Sequence, residues 1–76
     1  MKAAVVDMVG LRDALCHQEM LEQLGLVAIY ADVAQQMVEI GDESGADYAL
    51  RRMATHAKAA ITARNHLRAP SQTEAA

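Results

Sequence analysis

The sequence predicts an all-α fold: an antiparallel helical hairpin with an N-terminal helical extension, dimerising into a four-helix bundle. Three observations predict it. Ala, Leu, Val and Met abound and the aromatics are confined to Tyr30 and Tyr48, a bias toward good helix formers. Apolar residues recur at alternating spacings of three and four over most of the chain, the period of a helix face. The pattern is interrupted once, at Gly41-Asp42-Glu43, by a turn short enough to set its neighbouring helices antiparallel.

Taken in order, helical periodicity can be followed from Ala3 to Ile40. Gly10 and Gly25 weaken that stretch by roughly 1 kcal/mol each relative to alanine. Asp7 is a candidate N-cap should the first turn fray, and Gly10 is the expected place for a kink or break. The helix is expected to pass Gly25 intact, because the seam Met20, Leu24, Val27, Ala31, Ala34, Val38 keeps phase through it. A second seam, Leu26, Tyr30, Val33, Met37 and Ile40, lies about 100° further round. Gly41 is the residue type preferred just past a helix C-terminus, and Ser44-x-x-Asp47 reads as a capping box opening the next helix. That helix, from Gly45 to Ala69, carries Ala46, Leu50, Met53, Ala57, Ala60, Arg64 and Leu67, with Ala49 and Ile61 widening the stripe. It is expected to stop before Pro70, giving one helical domain over 1–69 and a disordered tail over 70–76.

Two seams on one helix require partners on two sides. At 1.5 Å per residue the first helix is roughly 57 Å long and the second roughly 37 Å. Folded about Gly41, facing residues would have numbers summing to about 85, leaving an overhang of about 13 residues at the N-terminus. A chain of 76 residues builds a core worth only about 3–5 kcal/mol net, so a partner is needed to complete it. The residues expected at a dimer or partner interface are Val5, Val9, Met20, Leu24, Leu26, Val27, Tyr30, Val33 and Met37, with alanines of the second helix permitting close approach.

Cys16 is the lone cysteine, which suits a reducing compartment. No apolar run approaches a membrane span, and Asp7 arrives before a signal-peptide core could form, so a cytoplasmic location without membrane association is expected. The net charge of −3 is unevenly spread. Up to Glu43 there are two basic residues against eight acidic ones, and from Ser44 onward five against two. The halves should attract, and a dedicated nucleic-acid binder, whose basic excess is uncompensated, is disfavoured.

Few side chains suggest chemistry. Cys16, His17, Glu19 and Glu22, with His66 near the same end of the hairpin, are ligand types for a transition metal, but no His-x-x-x-His or Glu-x-x-His pair is present. The methionines Met8, Met20, Met37 and Met53 fall in or beside the seams and read as adaptable core filler. His17, early on a long helix and followed by Leu24-Gly25, a short turn and a basic second helix, resembles the phosphoacceptor histidine of the dimeric helical-hairpin domains of sensor kinases. The resemblance covers Asp13 to Arg68 and would imply histidine phosphotransfer at His17. It departs from that family at Gln18, where an acid follows the histidine there, and in lacking a proline downstream on the same helix. The Arg51-x4-His56 spacing is similar to a motif of some helical ribonucleases. Arg51, Lys58 and Arg68 could form a basic strip facing phosphate, and Arg64, on the apolar stripe, could pair with Glu22. The expected function is a non-enzymatic protein–protein interaction module using the charges Glu19, Glu22, Arg51 and Lys58, with no catalytic, cofactor or metal residue. The alternatives are phosphotransfer at His17 and weak nucleic-acid binding by the second helix.

Overall fold

A computed structural model describes residues 2–75, with the side-chain surroundings of residues 10–67. It is a two-helix hairpin, α1 over Lys2–Glu39 and α2 over Glu43–Ala75, 59 Å long and 12 Å thick. The thickness is that of one helix layer. Such a layer has a single interhelix seam and two open faces, so it can bury one stripe of each helix and no more.

Both glycines of α1 are absorbed without a break. Continuity through Gly25 is as expected, and the helix is likewise unbroken at Gly10. Nothing lies within 4 Å of where a Cβ on Gly10 would sit, so the site needs no glycine. Gly10→Ala should therefore raise stability by about 0.5–1 kcal/mol by removing unfolded-state freedom.

The turn is built differently at Gly41. With φ at +77°, Gly41 donates its N–H to Val38 O at 3.1 Å and Asp42 donates to Met37 O at 2.8 Å, the paired bonds of a Schellman stop. Asp42 then serves the next helix as well. Its Oδ1 accepts from the Gly45 N–H at 2.9 Å, and its carbonyl accepts from Ala46 at 3.0 Å, which makes Asp42 the N-cap. The capping box expected at Ser44 is corrected accordingly: α2 begins at Glu43, so Ser44 is already inside it. Gly45 is held close to this cap, since an added Cβ would meet Asp42 Oδ2 and Met37 Sδ at 2.7 Å. Gly41→Ala should lower stability by roughly 1–2 kcal/mol, from forcing a Cβ into the left-handed region. Asp42→Ala should cost about 1 kcal/mol, from loss of the cap. Chemical denaturation of the variants checks all three values.

At its far end α2 continues to Ala75, past Pro70, where a stop was expected. Pro70 withholds one N–H from the carbonyl of His66, and a helix open to solvent can leave that carbonyl to water. Of the tail expected to be disordered, 70–75 is helical backbone and Ala76 lies outside the described residues. The helices are thus 38 and 33 residues long, far closer in length than expected. Their register also differs. His56 meets Gln23, so facing numbers sum to about 79 rather than 85, and α2 reaches correspondingly further toward the start of α1.

The seam takes residues from both predicted stripes and some from neither. Cys16, Met20, Gln23, Val27, Tyr30, Ala34 and Met37 run at 4-3 spacing on α1, and Ala46, Ala49, Met53, His56, Ala60, Ala63 and Leu67 run at 3-4 spacing on α2, all buried or half-buried. The fully buried residues among those described are alanines only, Ala34, Ala46, Ala49, Ala60 and Ala63. Leu24, Ala31, Val38, Ile40, Leu50, Ile61 and Arg64, assigned to the seams from sequence, are exposed. The physical reason is distance: alanines let two backbones approach closely, and in a one-layer hairpin the bulkier side chains are then displaced to the open faces.

Candidate interaction surface

The two open faces differ in character. On one, α1 turns outward Leu21, Leu24, Ala28, Ala31 and Val38, and α2 turns outward Leu50, Ala54 and Ile61, with the half-buried Ala57 in the same row. That these lie on the same side follows from a shallow groove near the turn that Ala31, Gln35 and Val38 share with Leu50, and from the heptad repeat that carries each row along its helix. Leu21 is 71% exposed and Val38 66%. The other face is mixed: Glu19, Thr62 and His66 line a second groove there beside Cys16, with Glu22, Arg52 and Tyr48 on the same flank.

Of the residues expected at a partner interface, Met20, Leu26, Val27, Tyr30, Val33 and Met37 are half-buried on the side of α1 turned to α2, while Leu24 is exposed. Val5 and Val9 lie outside the residues whose side chains are described. The four expected partner-binding charges, Glu19, Glu22, Arg51 and Lys58, are all exposed. Glu19 accepts from Gln23 Nε2 at 2.9 Å and Glu22 from Gln18 Nε2 at 3.3 Å. Arg51 pairs with Asp47 one turn back at 2.8 Å, and that bond, followed by simple charge attraction, raises its pKa. This is the sole ion pair among the described residues. The attraction expected between the halves therefore makes no cross-helix bridge, because Arg51 and Lys58 point away from α1. Nor does Arg64 meet Glu22, which sits on the opposite flank.

The middle of the seam holds a polar layer that sequence reasoning missed. His56 Nδ1 donates to Gln23 Oε1 at 2.7 Å, and Gln23 in turn donates to Glu19. The imidazole stacks on Tyr30 with centroids 5.6 Å apart and planes 9° apart. Tyr48 meets Tyr30 edge-on at 6.4 Å, and the Arg52 guanidinium lies 5.6 Å from the Tyr30 ring centre. The neighbouring Tyr30, and after it Tyr48, raises the Arg52 pKa. The other imidazole nitrogen, Nε2, is buried without a hydrogen-bond partner, a state that costs about 1–3 kcal/mol. The available signal was the unbroken 4-3 run from Cys16 to Met37, disguised by Gln23.

His17 is exposed and donates Nδ1–H to the Asp13 carbonyl at 3.0 Å, on the edge of α1 away from Cys16. Arg51 and His56 are not brought together, since one faces solvent and the other the seam. No three metal-ligating side chains cluster among the described residues, and no described helix is long and apolar enough to cross a membrane. The class defined so far is an all-helical two-helix hairpin. No family model matches the chain, and no curated protein or solved structure matches it.

Proposed function

We propose that this chain is a non-enzymatic protein–protein interaction module, an adaptor, regulator or inhibitor of a macromolecular partner, acting as a helical homodimer in a four-helix bundle. The observation that carries this reading is the distribution of apolar side chains: the fully buried positions of the seam are all alanines, while Leu21, Leu24, Val38, Leu50 and Ile61 face outward. An exposed apolar area of this extent on a small chain marks an association surface. Burying each such side chain is worth about 1.5–3 kcal/mol, enough for several together to exceed the cost of association. The opposite face, with Glu19, Glu22 and Arg52, then remains available to a second protein. A cytoplasmic setting keeps the lone Cys16 reduced. The test is purification from the native cell at native abundance. Co-elution of a partner that is lost on Glu19→Lys with Glu22→Lys supports the reading, and elution alone as a monomer sinks it.

One observation favours phosphotransfer as the second reading. With Nδ1 engaged by Asp13, the exposed His17 presents Nε2 as the nucleophilic nitrogen. Acid-labile phosphate on the chain after incubation with a phosphorylated response regulator, abolished by His17→Ala, would establish it. Binding of nucleic acid through Arg51 and Lys58 would instead appear as retention that falls steeply with added salt.

A further inference from the structure

The row of α2 on this flank is Asp47, Leu50, Ala54, Ala57, Ile61 and Arg64, at 3-4-3-4-3 spacing, all exposed except the half-buried Ala57. This row is its own complement when reversed. Laid antiparallel on a copy of itself about a point between residues 55 and 56, it sets Asp47 on Arg64, Leu50 on Ile61 and Ala54 on Ala57. Opposite charges meet at both ends, branched apolar residues meet inside them, and small residues at the centre let the backbones approach. The outward row of α1 behaves alike: reversed about residue 26, Leu21 falls on Ala31 and Leu24 on Ala28, a large side chain over a small one in each case. In the hairpin's register the two centres lie level to within about two to three residues, or about 4 Å, so a single two-fold axis can serve both helices.

We propose that two copies pair through this face about a two-fold axis perpendicular to the helices, α1 on the partner's α1 and α2 on the partner's α2, with Asp47 against the partner's Arg64. This deepens the dimer reading above and rests on it. A face about 36 Å long and two helices wide covers roughly 700 Å² per copy, near the ~800 Å² per partner of stable interfaces. The competing arrangement, with the axis along the helices and α1 over the partner's α2, puts Asp47 between the partner's Ala31 and Gln35 and Arg64 between the partner's Ala14 and His17. It leaves both charges of α2 without an opposite.

The test uses two charge reversals of the full chain, Asp47→Arg and Arg64→Asp, at low salt. Alone, each sets like charges together twice per dimer and should weaken self-association about tenfold. Mixed in equal amounts, the two variants form a heterodimer in which both contacts again join opposite charges, so dimer fraction and helical signal should return to near the wild-type level. Arg51→Ala, which removes the internal partner of Asp47, should leave self-association unchanged. Reversals that dimerise like the wild type, or a mixture no stronger than its components, would overturn the proposed pairing while leaving a dimer through another face. A wild-type chain that stays monomeric at every concentration would overturn the dimer reading itself.

Discussion

Leu24→Gln should lower the unfolding free energy by about 2 kcal/mol per chain, although Leu24 is 50% exposed in the hairpin. The value is the transfer free energy of a leucine buried against a second copy. For a solitary hairpin the same substitution replaces one solvated side chain with another and should change stability by less than about 0.5 kcal/mol. Leu21→Gln is expected to match Leu24→Gln, and its effect should shrink as protein concentration falls, because the lost burial belongs to the dimer. Ile29, 57% exposed but on the mixed face, provides the control. Ile29→Gln should be near neutral. Urea unfolding of the three variants at two protein concentrations reads all of these, and equal, small effects would remove the argument for the apolar face.

The second large effect concerns the polar layer. Replacing Gln23 and His56 together by leucine should raise stability by about 1–3 kcal/mol, since it removes the orphaned Nε2 of His56 and supplies apolar contact in the middle of the seam. His56→Ala alone should lower stability by about 1–3 kcal/mol, because the stack on Tyr30 is lost and Gln23 Oε1 is left without its donor. The two results have opposite signs, which separates the worth of the hydrogen bond from the cost of having polar groups there at all. A layer that lowers stability is retained in some coiled coils because it fixes register. Here Gln23 facing His56 pairs one nitrogen of the imidazole, and sliding α2 by one heptad would take that pairing away. Loss of stability in the double leucine variant, measured by urea unfolding, would show instead that the layer is a net source of stability.

The two helices and the turn at Gly41 were legible in the sequence, because helical period and glycine at a helix C-terminus are local signals. The phase of the seam was not. Reading it required deciding which of several overlapping 3-4 rows faces α2, and the row with the largest side chains, through Leu24 and Val38 or through Leu50, was the natural choice. In the structure the row of closest approach won, since Ala46, Ala49, Ala60 and Ala63 allow a spacing that leucines would prevent. Gln23 and His56 hid that row by interrupting its apolar character. The cap was missed for a related reason: Asp42 closes one helix and opens the next, and so short a connection, three residues from Ile40 to Asp42, leaves no sequence signature distinct from Ser44. The self-complementary row of α2 could have been read directly from residues 47–64, once Leu50, Ile61 and Arg64 were placed outside.

Sedimentation equilibrium of the wild-type chain tests the central claim most directly. A species of twice the 8.2 kDa chain mass, dissociating on dilution together with loss of helical signal, is the predicted result. A monomer that remains fully helical at high protein concentration, with Leu21, Leu24 and Ile61 in water, would contradict it.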